Sequence, residues 1–153
     1  MIELVPVRRD EIERLASMVS EYWQEIQEYS GEPAPMETDT AKKLLYEAIS
    51  KGDGVFWITS GDEEIGFIEH DIREHWSRPD QKVGHIAEIF VRRDRRRAGA
   101  GREAMNRILE TMAEDGVRYV TLETWVRNDQ ARRFWEALGF REDRLEMRRM
   151  LDS

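Results

Sequence analysis

Arg92-Arg93-Asp94-Arg95-Arg96-Arg97-Ala98-Gly99-Ala100-Gly101-Arg102 lies between an apolar, strand-like run and the start of an amphipathic helical pattern. These eleven residues hold six arginines and one aspartate, a local charge of +5. The whole chain sums to −8, so everything outside the segment carries −13. Cations massed in one place on an acidic protein, with glycines at a strand-to-helix turn, describe a loop that holds a polyanion. Glycine lets backbone N–H groups approach a ligand closely, and a helix N-terminus adds unsatisfied amides and its dipole. Read as Arg-x-x-Gly-x-Gly, residues 96–101 form neither a Rossmann fingerprint nor a Walker loop, which argues against a dinucleotide or a nucleoside triphosphate. The aromatic interleaving of a nucleic-acid platform is missing too. The plain alternative is a solvated arginine turn.

The 153 residues are 40% hydrophobic and 37% charged, enough for one soluble globular domain with a sizeable core. No apolar run approaches the roughly 20 residues of a membrane helix. Met1-Ile2-Glu3-Leu4-Val5-Pro6 lacks the basic region and apolar core of a signal peptide, so the expectation is a cytoplasmic protein without membrane contact. The absence of cysteine excludes disulfides, a cysteine nucleophile and thiolate ligands. His70, His75 and His85 have no metal-site spacing, and no metal is expected. The acidic balance argues against nucleic acid as a partner and favours small cations.

Residues 2–7 read as a first strand. Asp10 with Glu13 makes a capping-box pattern, and Ile12, Leu15, Val19, Tyr22, Trp23 and Ile26 follow at helical spacing to about Tyr29. After a loop at 31–35, Thr38 or Asp39 caps a second helix through Ala48. Residues 55–59 and 65–72 form a hairpin about Gly61-Asp62, with a polar connection at 74–82. A strand at 85–91 leads into the arginine loop and a helix marked by Ala104, Ile108, Leu109 and Met112. A strand at 119–125, a helix at 130–138 and a last strand at 145–150 complete the chain. The order β-α-α-β-β-β-α-β-α-β predicts an α+β fold, a three-layer α/β/α arrangement of one mixed sheet covered by helices, in a single domain over 1–153.

Asn128-Asp129-Gln130-Ala131-Arg132-Arg133-Phe134-Trp135-Glu136-Ala137-Leu138-Gly139-Phe140 resembles the second half-site of the GNAT acetyltransferase superfamily, where Asn is followed by Ala, an aromatic pair and Leu-Gly-Phe. With the Arg-x-x-Gly-x-Gly loop upstream, the resemblance covers residues 87–140, and the element order agrees. It implies the acyl-CoA N-acyltransferase fold, with the parallel strands 85–91 and 119–125 splayed apart, and acetyl-CoA as cosubstrate. Backbone amides of Arg97, Ala98, Gly99, Ala100, Gly101 and Arg102 would hold the pyrophosphate, with the side chain of Arg96 or Arg97 in support. Phe90 and Val91 would pair with the pantetheine arm as an added strand does. Asn128 would reach the cofactor from the far side, and Trp135 would line the crevice wall. Such a crevice, at the carboxyl ends of parallel strands, is a general ligand site of α/β sheets.

Glu88 is one carboxylate in the apolar run Ile86-Ala87-Glu88-Ile89-Phe90-Val91, and alternation puts it on the face of Ile86 and Phe90. An ionised group there must be paired or must face a wet cavity. One reading is an ion pair with an arginine. The other, which the resemblance implies, is a general base that removes a proton from an incoming ammonium. Trp135 departs from the family pattern, which often places Tyr there as an acid for the leaving thiolate; indole N–H donates a hydrogen bond but is no acid near neutral pH. Its alternative role is packing with Phe134 and Leu138.

Residues 15–41 contain six acids and no lysine or arginine. The resemblance makes the first two helices a wall of the acceptor pocket, so Tyr22, Glu25 and Tyr29, with Trp125, would line a site for a cationic amine. A solvated acidic face is the plain alternative. The expected activity is therefore acetyl transfer from acetyl-CoA to a primary amine, by direct attack in a ternary complex. The alternative is a non-catalytic acetyl-CoA-binding regulatory module. The predicted final strand would offer an edge to a second copy, allowing a homodimer.

Overall fold

The computed structural model describes residues 1–52 and 54–152. It contains β1 (Ile2–Pro6), α1 (Ile12–Ser30), α2 (Thr38–Ser50), β2 (Gly54–Ser60), β3 (Glu63–Glu74), β4 (Lys82–Val91), α3 (Ala100–Glu114), β5 (Val117–Leu122) and α4 (Asp129–Ala137). Single 3-10 turns stand at Arg9–Glu11 and Arg93–Arg95. Two compact units divide at Glu123: Met1–Glu123 holds the sheet with α1 to α3, and Thr124–Ser153 holds α4. No helix among the described residues is long and apolar enough to cross a membrane.

The sheet runs β1-β2-β3-β4-β5, antiparallel except for the parallel β4–β5 pair. That exception follows from connectivity, because β4 and β5 are joined through α3 and parallel strands need such a crossover. On α1, Ile12, Leu15, Ala16, Val19 and Ile26 are buried at helical spacing, and Gly31 ends the helix in the left-handed region (φ 75°). Ile12, Leu15 and Val19, together with Ala41, Leu45 and Ala48 of α2, pack with Val55, Trp57, Phe67 and Phe90 of the sheet in one core cluster. The other face carries α3, whose Met112 sulfur would lie 2.6 Å from a Cβ built on Gly84. Helices thus lie on both faces of a mixed sheet, the α+β arrangement expected.

The first helix starts differently from its sequence signature. Glu11 rather than Glu13 closes the cap: its carboxylate accepts the Arg8 backbone N–H (2.9 Å), and Glu13 instead pairs with Lys42 of α2 (2.8 Å). Neither Thr38 nor Asp39 caps α2, which follows Glu37 without a side-chain cap. β3 and β4 extend beyond the predicted strands 65–72 and 85–91 to the oppositely charged pair Glu74↔Lys82, leaving only 75–81 as connection. β5 stops at Leu122, so Trp125 lies beyond the strand.

The predicted strand at 145–150 does not form. Residues 140–152 have no regular structure, and Leu145, Met147 and Met150 are exposed. Arg148 and Arg149 interrupt the alternation that would give this segment one apolar face, and without such a face its strand pairing is weakly specified.

Gly66 is the tightest backbone contact near the end of β4. A Cβ there would meet the Phe90 carbonyl oxygen at 2.1 Å and Val91 Cα at 3.0 Å, both backbone, whereas Gly84 faces the flexible tip of Met112. Gly66→Ala should therefore cost about 3 kcal/mol in urea unfolding and Gly84→Ala no more than about 1 kcal/mol. Equal losses would contradict this packing.

Candidate functional site

The site grows from an irregularity in β4. Glu69 of β3 faces Glu88 while the next residue, His70, faces Ile86, so Ala87 is an extra residue, a β-bulge. The bulge turns Ile86 to the opposite face, so the expected shared face of Ile86 and Glu88 is not formed; Glu88 and Phe90 do share one. The parallel ladder with β5 ends at Ile86↔Leu122, while β4 continues to Val91. Arg92 N–H bonds to the Ile65 carbonyl on β3 (2.8 Å). Alternation then aims the amides of Ile89 and Val91 to the other side, where the β5 ladder has ended. The Val91 carbonyl is already taken by Arg96 Nε (2.7 Å), so Val91 offers an added strand its N–H rather than its carbonyl.

Beyond β4, the 3-10 turn Arg93–Arg95 leads to two left-handed residues, Arg97 (φ 69°) and Gly99 (φ 82°). Gly99 is the N-cap of α3 and supplies no side-chain cap, so among the described residues the first-turn amides of Ala100, Gly101 and Arg102 have no side-chain cap. This is an anion cradle in geometry, with Ala98 exposed at its rim. The arginines divide into two groups. Arg95 pairs with Glu63, and Arg96 binds both carboxylate oxygens of Glu25 (3.0 and 2.7 Å) while its guanidinium stacks over Phe90 (5.4 Å). Arg97 and Arg102 are exposed and have no ion-pair partner among the described residues. Of the two arginines proposed to support a phosphate, Arg96 is therefore committed elsewhere and Arg97 is available.

Glu88 accepts a short hydrogen bond from the Tyr22 hydroxyl. No cation lies within ion-pair distance of it among the described residues, which removes the arginine-pair reading. Burial raises its carboxyl to about 7, the Tyr22 hydrogen bond opposes this, and the charges of Glu69 and Glu123 push further upward. Burial beside Glu88 likewise raises the Tyr22 hydroxyl, so it stays a donor. Tyr22 is wedged edge-on against Phe67 and Phe90, each 5.8 Å away. A cavity of about 60 Å³ opens beside the pair, walled by Val19, Trp23, Met36, Leu44 and Phe67, with Glu69 and Glu88 on its sheet side.

Of the predicted acceptor-wall residues, Tyr22 meets Glu88, but Glu25 is consumed by Arg96, and Tyr29 is half-buried and does not line this cavity. Sequence reasoning missed Glu69; its signal was the carboxylate that follows the apolar run Ile65-Gly66-Phe67-Ile68 in the partner strand. In the second unit, Asn128 caps α4, its Oδ1 accepting from Ala131 N–H (3.1 Å). Trp135 is buried edge-on against Phe134 (4.9 Å) and Phe140 (5.4 Å), the packing role. Gly139 (φ 92°) closes the helix, and Trp125 is partly exposed.

Residues 15–140 match the profile of the acetyltransferase (GNAT) family. An uncharacterized N-acetyltransferase of Methanocaldococcus jannaschii is 33% identical over 90 residues, which span 59% of this chain and 40% of that protein. A tetramutant of a Bacillus halodurans protein superposes with a TM-score of 0.83 at 18% identity, covering 99% of both chains. An acetyltransferase from Thermus thermophilus gives 0.75 at 20% identity, covering 92% of this chain and 87% of the other. An aminoglycoside acetyltransferase from an uncultured soil metagenomic sample gives 0.70 at 14% identity, covering 99% and 97%. At these identities the solved structures establish the fold.

The raised Glu88 carboxyl makes a stability prediction with a definite sign. The folded state keeps a proton that the unfolded chain releases near 4.5, so this contribution is full below pH 4.5 and is lost as pH rises through about 7. Urea unfolding of wild type relative to Glu88→Gln should shift against wild type between pH 4.5 and 8, by on the order of 3 kcal/mol. A difference that stays flat across this window would show an ordinary carboxylate.

Proposed function

Because the chain belongs to the acetyltransferase (GNAT) family, we propose that it transfers the acetyl group of acetyl-CoA to a cationic primary amine, with Glu88 as general base. The observation that carries this reading is the arrangement of Glu88: buried, bonded to Tyr22, without a cation at ion-pair distance among the described residues, and facing a cavity beside the unpaired end of β4. Acetyl-CoA is a thioester with an anionic pyrophosphate and an amide-bearing arm, and the residues suit each part. The left-handed turn at Arg97 to Gly99, the first-turn amides of α3, and the free cations Arg97 and Arg102 suit the pyrophosphate. The outward amides of Ile89 and Val91 suit the arm as an added strand.

The amine arrives as an ammonium, drawn by Glu69 and Glu88 into an apolar-walled cavity. Glu88 takes its proton. The freed nitrogen lone pair forms the C–N bond at the acetyl carbon, the C–S bond breaks with its electron pair on sulfur, and the second proton that the nitrogen sheds to become an amide passes to that thiolate, giving the amide and CoA. A carboxyl titrating near 7 is matched to this work, because it is substantially ionised at neutral pH yet holds the proton it receives. Tyr22 fixes the carboxylate's direction. Thiolate is an adequate leaving group, so the reaction proceeds without an acid at Trp135. In this reading residues 1–153 form one N-acetyltransferase domain.

A second reading, a regulatory module that binds acetyl-CoA without chemistry, would leave the raised Glu88 carboxyl without a task.

Thermal unfolding should rise with CoA or acetyl-CoA and hardly with NAD or ATP. In an acetyl-CoA consumption screen across primary amines, Glu88→Gln should lower turnover by roughly 10²- to 10⁴-fold with CoA binding nearly intact. Turnover unchanged in Glu88→Gln would overturn the base, and equal shifts by all nucleotides would reduce the loop to a generic anion trap.

A further inference from the structure

One turn of α1 carries two contacts to different parts of the site. Tyr22 and Glu25 are three residues apart and lie on the same side of the helix. Tyr22 reaches Glu88 in the middle of β4, and Glu25 reaches Arg96 at the end of the cofactor loop. Arg96 makes three contacts at once. Its Nη2 bonds to Glu25, its Nε bonds to the Val91 carbonyl, and its plane covers Phe90. Phe90 also packs edge-on against Tyr22, which closes a ring: Arg96, Glu25, Tyr22, Phe90. Both members of the ion pair are about three-quarters covered, so solvent screens it less than a surface pair. Arg93 also approaches Glu25 (3.5 Å), but its side chain is mostly exposed.

We propose that Arg96 and Glu25 are positioning residues: their ion pair pins the Tyr22 turn of α1 to the end of β4, holding Tyr22 on Glu88 and joining the cofactor loop to the acceptor wall. A planar, forked guanidinium is suited to this, because it bonds a carboxylate and a backbone carbonyl while stacking on a ring. The catalytic consequence rests on the acetyl-transfer reading. The geometric claim does not.

Three groups act on the Glu88 carboxyl: Tyr22 of α1 bonds to it, Glu69 lies opposite it on β3, and the charge of Glu123, just after β5 and itself beside His85 (3.2 Å), reaches it from further off. Loosening α1 admits water to Glu88, which lowers its titration midpoint; the Tyr22 bond lost with it acts the other way but is the smaller effect, so the midpoint falls. The test follows the glutamate side-chain carboxyls by ¹³C NMR, with the Glu88 signal assigned through Glu88→Gln. Wild type, Glu25→Ala, Arg96→Ala and the double variant are compared, each also titrated with CoA by calorimetry and checked by thermal unfolding.

The expected result is that the Glu88 midpoint falls by about one pH unit or more in each single variant, with little further change in the double, because both deletions break one link. CoA affinity should change by less than about threefold in all of them, since Arg97, Arg102 and the backbone amides hold the anion. If Arg96→Ala does not fold, Arg96→Lys takes its place; a lysine keeps the charge but cannot bond Glu25 and Val91 together, so its midpoint should fall part of the way. An unmoved midpoint in folded variants would overturn the proposal. So would tighter CoA binding in Glu25→Ala with weaker binding in Arg96→Ala, which is what a phosphate-binding Arg96 released from a competitor would give. No heat with CoA in wild type overturns the acetyl-transfer reading instead, and the Glu88 titration still decides the clamp.

Discussion

Burying a carboxylate in the apolar layer between a sheet and its helices is costly, and the first unit is arranged around that cost at Glu88. Desolvation disfavours the charged form, so the group keeps its proton further into the neutral range than an exposed glutamate does. What offsets the burial is a hydroxyl rather than a cation. The difference matters chemically. An arginine partner would hold the carboxylate ionised and weakly basic, whereas the Tyr22 hydroxyl orients it and leaves it able to accept a proton. The aromatic packing of Tyr22 on Phe67 and Phe90 keeps that hydroxyl where it is needed.

The bulge at Ala87 is the backbone counterpart of this arrangement. The extra residue resets the alternation of β4, so that Glu88 shares the Phe90 face while Ile86 turns to the α3 side. Pairing with β5 ends at the same place. One local irregularity thus aims the carboxylate into the cavity and marks where outward amides become available. The loop that follows is tied back by Arg96, while Arg97 and Arg102, flanking the start of α3, have no ion-pair partner among the described residues.

Much of this was readable from the residues. The period of Ile12, Leu15, Val19 and Ile26 gave α1, the lone Glu88 in an apolar run marked the candidate base, and the arginine-glycine segment marked the loop. Three things were not readable. A bulge at Ala87 has no local signature, because it is a property of register between two strands. The commitment of Arg96 depends on Glu25, 71 positions earlier in the chain, and a charge count treats all six arginines alike. Residues 145–150 begin with the alternation of a strand, Leu145-Glu146-Met147, but strand formation also needs a partner and one continuous apolar face, which Arg148 and Arg149 deny. Asn128 shows a related limit: its motif was visible, while the bond it makes in this structure, capping α4, was not.

Amide hydrogen exchange with and without CoA, resolved by residue, tests the central claim most directly, because it reports on the backbone groups that the account assigns to the ligand. Protection should appear at the outward amides of Ile89 and Val91 and at residues 98–102, with the inward amides of Glu88 and Phe90 unchanged. Protection confined to the arginine loop, or absent along β4, would contradict a ligand arm pairing with the open end of that strand.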